Sequence, residues 1–152
     1  MRPLRSKLSE IYGPIEDWKW TNQSRFMTIW KIPMKMYGFL KYEGTAIRRI
    51  YLNKDMVPSL SLALEMVYEG GLMHKIESYD GCFNLRYSRN SGEKLSTHAY
   101  GLALDLNAAT NPLGATPQID DQLVMCFEEA GFVWGGRWKR PDGMHFQFVT
   151  ED

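Results

Sequence analysis

The stretch STHAYGLALD, residues 96–105, combines one histidine and one aspartate with an alternating pattern of apolar side chains. After its glycine, apolar and small or polar residues alternate as far as Asn107, which predicts a strand because successive strand side chains point to opposite faces. One face then presents Asp105, and Gly101 permits a sharp bend that can bring His98 over that face. The opposite face is predicted to join the core and consists of Leu102, Leu104 and Leu106. Asp105 and His98 are therefore expected to line one groove.

A second segment, residues 142–145, repeats this combination near the end of the sequence. His145 alternates with apolar residues, two of them phenylalanines, and is predicted to project from a strand whose other face is packed with aromatic rings. The triplet Pro141-Asp142-Gly143 predicts a turn, which places Asp142 at the mouth of that strand. From there a carboxylate can reach a water on a metal without binding the metal itself, as a general base does.

The two segments hold two of the three histidines of the chain; the third, His74, follows a Gly-Gly pair and is expected at the surface. Imidazole and carboxylate are ligands of catalytic zinc, and three protein ligands leave a fourth position for water. The residues alone therefore predict a metal-assisted hydrolase. Each residue also has a structural interpretation: a strand histidine can be a satisfied core residue, Asp105 can cap a turn, and Asp142 can be a solvated turn residue.

The motif S-x-H-x-x-G-x-A-x-D followed by D-x-x-H resembles the M15 class of zinc D,D-peptidases and L-alanyl-D-glutamate endopeptidases, which includes VanY-type carboxypeptidases and phage endolysins. The resemblance is close from residue 79 to residue 148 and weaker from residue 46. It implies an α+β fold, with a small antiparallel sheet and flanking helices as in the hedgehog and D,D-peptidase zinc domains.

The resemblance also implies roles for individual residues. Zinc would be bound by His98, Asp105 and His145, with Asp142 as the catalytic base. Many relatives have glutamate as the base, and aspartate occurs in the endopeptidase branch, so this departure favours an endopeptidase.

Relatives carry a further arginine upstream of the first motif, which binds and polarises the substrate carbonyl. Arg86 occupies the corresponding place, and Arg89 is the weaker candidate. A guanidinium can donate paired hydrogen bonds to a developing oxyanion or to a carboxylate, although either residue can also be an ordinary surface arginine. Ser96, which matches the motif, and Trp138, which lies in the basic run 137–140, complete the expected substrate contacts.

By this resemblance the chain is a zinc-dependent peptidase that hydrolyses an amide bond in peptidoglycan stem peptides or cross-links. We expect a phage or prophage endopeptidase of the endolysin type. The alternatives are a D-Ala-D-Ala carboxypeptidase and a non-hydrolytic, zinc-bound module that binds the cell wall, although an intact Asp142 argues against the latter. The zinc chemistry does not depend on the groups that flank the amide, so a metal-dependent amidase unrelated to cell walls is a further alternative.

The 152 residues are enough for one domain with a full core, and the 44% hydrophobic fraction is typical of a globular chain. We expect residues 1–45 to form a lead-in packed on the core, residues 46–152 to form the catalytic domain, and the protein to be a monomer. Lysine plus arginine equal aspartate plus glutamate at 18 each, so no global basic field favours nucleic acid as a partner.

The first residues lack the apolar segment of a secretory signal, and no stretch approaches the roughly 20 apolar residues of a membrane span. We therefore expect the protein to accumulate in the cytoplasm without a signal peptide and to act on the bacterial cell wall after release, as a phage lysis enzyme does. Two cysteines, Cys82 and Cys126, are too few for a disulfide framework and are expected to stay thiols.

Periodicity predicts the remaining elements. The first forty residues, rich in aromatic side chains and interrupted by Pro14 and Pro33, are expected to be irregular or short-helical. Helices are predicted at 55–69 and 120–130, strands at 48–52 and 75–79, and a strand beginning at 132 that pairs with the strand of His145.

Overall fold

A computed structural model describes residues 1–15, 18, 20–84 and 96–152, and within them the chain is an α+β protein. This confirms the predicted fold class of helices flanking small antiparallel sheets. The α-helices are α1 (Leu8–Tyr12), α2 (Trp20–Phe26), α3 (Val57–Glu69) and α4 (Asp121–Glu129). The strands are β1 (Met27–Lys31), β2 (Lys41–Tyr42), β3 (Thr45–Ala46), β4 (Arg49–Asn53), β5 (Ala103–Asp105), β6 (Val133–Trp134) and β7 (His145–Gln147). Short 3-10 helices include Lys54–Met56, which precedes α3, and Met73–Lys75, Thr97–Tyr100 and Gly135–Arg137.

The sheet that carries the predicted ligands has the strand order β5-β7-β6, and both pairings are antiparallel. The predicted pairing of the strand near residue 133 with the strand of His145 is therefore confirmed. In the register of β5 and β7, Asp105 lies opposite His145. Directly opposed residues of an antiparallel pair present their side chains to the same face, so the register brings these two groups together.

The opposite face of this sheet is apolar, as the alternation predicts. Phe146 is fully buried, with ring centroids 4.7 Å from Phe127 on α4 and 6.5 Å from Trp134 on β6. The predicted core leucines are at most 2% exposed: Leu102, Leu104 and Leu106. Burying a leucine side chain contributes about 1.5–3 kcal/mol to folding, so this face anchors the sheet while the other face is left for polar groups.

The predicted strand at 75–79 is wrong for most of its length. Lys75 ends a 3-10 helix, and Tyr79 forms an isolated bridge to Leu106. The side chain of Asn107 replaces a strand partner there: its Oδ1 accepts from the backbone N–H groups of residues 77 and 78, and its Nδ2 donates to the carbonyl oxygen of Lys75. Asparagine side chains satisfy backbone groups in this way and compete with regular secondary structure.

The lead-in contains the short helices α1 and α2, as predicted, and also β1, which was not predicted. Strand β1 pairs antiparallel with β4, Met27 lying opposite Asn53. Tyr12 and Trp18 are buried in the same core cluster as the rest of the chain. Among the described residues, no helix is both long and apolar enough to span a membrane.

Candidate metal centre and active site

His98 lies in a 3-10 helix, Thr97–Tyr100, that is capped at both ends. Ser96 Oγ accepts the His98 backbone N–H at 3.2 Å, and Gly101 ends the turn with a left-handed φ of 67°. A Cβ on Gly101 would stand 2.6 Å from Met27 Cε and 2.8 Å from the backbone nitrogen of Asn53. Only glycine meets both the φ and the close packing, so the predicted bend at Gly101 is confirmed.

The Asp105 carboxylate lies at the end of β5 and is mostly buried, with 14% of the side chain exposed. The backbone of this residue is fixed on both sides: its N–H donates to Gly81 O at 2.9 Å, and its carbonyl accepts from Asp80 N at 2.8 Å. These bonds hold the end of the strand beside the loop that contains Cys82.

Three side-chain atoms meet in front of the sheet. His98 Nε2 is 3.2 Å from Asp105 Oδ1 and 3.2 Å from His145 Nδ1, and His145 Nδ1 is 3.3 Å from Asp105 Oδ1. A tetrahedral zinc ion with ligand bonds of about 2.0–2.1 Å separates its ligand atoms by about 3.3 Å. The group can therefore hold a metal ion, and its spacing fits a small tetrahedral one.

The outer nitrogen of each imidazole makes a hydrogen bond that leaves the inner nitrogen free to bind a metal. His98 Nδ1 is 2.6 Å from the carbonyl oxygen of Cys82, and His145 Nε2 is 2.9 Å from Gln147 Oε1. Both partners are acceptors, so the two outer nitrogens carry hydrogen. In their neutral forms both imidazoles then direct lone pairs at the Asp105 carboxylate. Three such acceptors in contact require a proton or a cation between them.

The electrostatics of the site agree with this requirement. Burial alone would raise the pKa of Asp105, but hydrogen bonds and charge interactions with His145 and His98 outweigh it and lower the pKa below its usual range. Burial alone would lower the pKa of His145, but its hydrogen bond to Asp105, aided by the charges of Asp105 and Asp142, raises it. The site thus favours a carboxylate with positive charge beside it.

Asp142 lies in the turn before β7, at the predicted position. Its carbonyl oxygen accepts the backbone N–H of His145 at 3.1 Å, and its own N–H donates to Gly135 O at 2.9 Å. A Cβ on Gly135 would stand 2.8 Å from the Asp142 carbonyl oxygen, so this glycine permits the turn to sit against the 3-10 helix Gly135–Arg137. The Asp142 carboxylate is near enough to help raise the pKa of His145.

The other candidates divide into three groups. The ring of Trp138 is half-buried, with its centroid 5.4 Å from that of His145, so it borders the site. Ser96 is buried and acts as the cap described above. Arg86 and Arg89 lie outside the described residues. In the basic run, Arg137 is already paired with Glu128, Nη2 to Oε1 at 2.8 Å.

The side chains of Cys82 and His74 lie outside the triangle formed by His98, Asp105 and His145. Cys82 is buried and contributes only its carbonyl oxygen to the site, and burial raises the pKa of its thiol. His74 is exposed.

Sequence reasoning missed Gln147, Thr97 and Asn53. Gln147 follows His145 by two residues on the same strand face, so the period-two pattern that identified His145 could have found it. Asn53 Nδ2 donates to Tyr100 O at 3.1 Å, and its backbone N–H donates to Gly101 O at 3.0 Å. No local pattern connects residue 53 to the turn of His98, because the contact depends on tertiary structure.

Comparison with known proteins gives one family. Residues 89–148 match the family model described as D-alanyl-D-alanine carboxypeptidase, a model of M15 peptidases. No curated protein and no solved structure matches the chain. The matched segment contains His98, Asp105, Asp142 and His145, and the match confirms that over this segment the chain resembles the peptidases of the M15 family.

Proposed function

We propose that this protein is a zinc-dependent peptidase that cleaves an amide bond in peptidoglycan stem peptides or cross-links, as an endopeptidase of the endolysin type. The observation that carries the proposal is the triangle formed by His98 Nε2, Asp105 Oδ1 and His145 Nδ1, with sides of 3.2–3.3 Å. The M15 match over residues 89–148 supports the substrate class.

The donor set supports zinc as the metal. Two imidazole nitrogens and one carboxylate oxygen are typical of a catalytic zinc site that keeps its fourth position open. Zinc held there would lower the pKa of a bound water toward about 7 and polarise a substrate carbonyl. The buried thiol of Cys82 stands outside this set because its sulfur faces Gly101 O at 3.8 Å.

The remaining chemistry belongs to the protein's own side chains. Asp142 accepts the proton of the attacking water and returns it to the leaving amine, a role typically worth about 10²–10⁴-fold in rate. Arg86 donates hydrogen bonds to the substrate carbonyl as it gains charge, with Arg89 as the second candidate. Trp138 contacts the substrate beside His145. Ser96 is a further candidate for substrate contact, and its hydrogen bond to His98 N gives it a role in holding that ligand.

A D-Ala-D-Ala carboxypeptidase is the second candidate, favoured by the description of the matching family model. A carboxypeptidase must bind the free carboxylate of its substrate, which requires a cation such as Arg89 or Lys139 near the site. Aspartate rather than glutamate at position 142 supports the endopeptidase. Monomeric state, and accumulation in the cytoplasm before release to the cell wall, remain predictions that belong to this proposal.

The experiment that tests the proposal is digestion of purified peptidoglycan from several wall chemotypes with the zinc-loaded protein, followed by mass spectrometry of the fragments. We expect a new peptide terminus that chelator abolishes and that Asp142→Ala does not produce. Asp121→Ala, which removes an exposed carboxylate from the first turn of α4, is the matched control and should cleave normally. An internal cut identifies the endopeptidase, and release of terminal D-Ala identifies the carboxypeptidase. Zinc binding without cleavage of any chemotype would reject the peptidase and support the binding module.

A further inference from the structure

Gln147 is fully buried on β7, two residues after His145, and every polar atom of its amide is in contact. Its Oε1 lies 2.9 Å from His145 Nε2 and accepts the Thr97 hydroxyl at 3.2 Å. Its Nε2 donates to Val149 O at 2.9 Å and to Glu151 Oε1 at 3.3 Å. A carbonyl and a carboxylate can only accept, so the amide nitrogen must face residues 149 and 151 and the amide oxygen must face His145.

The orientation of the amide determines the state of the His145 ring. An amide oxygen only accepts, so His145 Nε2 carries hydrogen and Nδ1 keeps its lone pair toward His98 and Asp105. We propose that Gln147 is a positioning residue that fixes the tautomer and ring orientation of His145 for metal binding. This inference rests on the proposed metal site and adds to it the residue that sets up one ligand.

The hydrogen-bond chain continues to Arg5. Glu151 pairs with Arg5 through two contacts, Nε to Oε2 at 2.6 Å and Nη2 to Oε1 at 2.8 Å. The backbone in this region is also joined, since Leu4 forms a parallel bridge with Thr150 and Arg5 N donates to Thr150 O at 2.9 Å. Arg5 therefore holds the Glu151 carboxylate in reach of Gln147 Nε2, and the order of contact runs Arg5, Glu151, Gln147, His145.

The contact distances rank the links of this chain. The Val149 carbonyl is 2.9 Å from Gln147 Nε2, whereas Glu151 is 3.3 Å from it and lies at a more exposed position. Gln147 contacts the proposed ligand directly, so its loss should lower zinc affinity about 10–100-fold, the usual cost of removing a hydrogen-bond partner of a metal ligand. Loss of Arg5 should cost about two- to fivefold, as expected for a partly exposed ion pair.

The test uses zinc alone, without any peptide substrate. The chain has three histidines, so the imidazole region of the ¹⁵N NMR spectrum of the zinc-loaded protein contains the ring-nitrogen signals of three residues. We expect His145 to bind through Nδ1 with hydrogen on Nε2, His98 to bind through Nε2 with hydrogen on Nδ1, and His74 to remain unbound. Binding of His145 through Nε2 would overturn the proposal without the need for any variant.

Gln147→Leu is expected to raise the zinc dissociation constant 10–100-fold and to remove the single His145 tautomer from the spectrum. Tyr12→Phe is the control, since it removes a part-buried hydrogen bond, from Tyr12 Oη to Asp55 Oδ2 at 2.7 Å, that does not involve the His145 ring. It should keep the tautomer and change zinc affinity less than about threefold. Equal losses of zinc affinity in both variants would show that the loss follows from general destabilisation, which would overturn the positioning role of Gln147.

A double-mutant cycle tests the link to Arg5. Arg5→Met should weaken zinc binding in the wild-type background and have no effect in the Gln147→Leu background, because the effect passes through Gln147. Independent effects in the two backgrounds would remove Arg5 from the chain. A protein that binds zinc in the expected tautomers but cleaves no peptidoglycan would reject the proposed function and keep this inference. Failure of zinc to perturb His98 would reject both.

Discussion

Asp105 Oδ1 lies 3.3 Å from His145 Nδ1, and the two residues are exact cross-strand partners in the register of β5 and β7. The separation of these two groups is therefore set by backbone hydrogen bonds of the sheet rather than by flexible loops. His98 reaches the same point from a capped 3-10 helix. The proposed ligands depend on two different local structures, which allows their contributions to be tested separately.

Removing a ligand should have a different effect from removing the base. We expect His98→Ala and His145→Ala to lose bound zinc and all activity, because each leaves two protein ligands. Asp142→Ala should bind zinc with unchanged stoichiometry and lose about 10²–10⁴-fold in turnover. Zinc content by elemental analysis and turnover on peptidoglycan fragments measure the two effects. Loss of zinc from Asp142→Ala would show that Asp142 is a ligand and contradict its assignment as the base.

Zinc affinity should fall as the pH is lowered through the pKa of His145. Contacts with Asp105 raise that pKa above its ordinary value of about 6.5, and a protonated imidazole cannot bind metal, so competition by protons begins at a higher pH than for an ordinary histidine. The lowered pKa of Asp105 keeps its carboxylate ionised throughout this range. Chelator competition between pH 5.5 and 8.5 measures the affinity. An affinity that is constant below pH 7 would refute the prediction, and His74→Ala should not alter the profile.

Gly101→Ala should destabilise the protein by about 2–5 kcal/mol. A left-handed backbone costs a residue with a Cβ about 1–2 kcal/mol, and overpacking against Met27 and Asn53 costs about 1–3 kcal/mol more. Gly44→Ala is the matched control because Gly44 has a φ of +83° but nothing within 4 Å of its Cβ position. Denaturant unfolding of both variants separates the packing cost from the backbone cost. Equal losses of stability in the two variants would mean that the close contacts at Gly101 add nothing to the cost of the left-handed backbone.

Replacing Trp134 and replacing Trp138 should have different effects, the first on stability and the second on substrate binding. Trp134 is buried, and its Nε1 donates to Gly143 O at 2.8 Å, so Trp134→Ala should lower stability by about 3–5 kcal/mol. Trp138 is half-buried beside His145, so Trp138→Ala should mainly raise KM for the substrate. Thermal unfolding and steady-state kinetics on a stem peptide measure the two effects. An unchanged KM in Trp138→Ala would remove this residue from the substrate contacts.

The parts that could be predicted from sequence are those where one local pattern carries the information. The alternation around Asp105 and around His145 predicted both strands and their core faces, because burial of one side of a strand imposes a period of two. The bend at Gly101 is equally local, since the glycine satisfies a backbone requirement at its own position.

The parts that could not be predicted depend on distant partners. Strand β1 owes its conformation to pairing with β4. The segment 75–79 is shaped by Asn107, about thirty residues away, whose side chain takes the hydrogen bonds that a strand would have used. The same limit applies to Asn53, which supports the turn of His98 from another part of the chain.

The contact of Gly101 with Met27 has a consequence for protein engineering. The sulfur and terminal methyl of Met27, on β1, form the surface against which the turn of His98 is seated. A graft of residues 46–152 into another scaffold would carry every proposed ligand but leave that surface behind. Such a chimera should need a replacement for the first strand before it can regain metal affinity, so the minimal transferable unit is larger than the sequence motif.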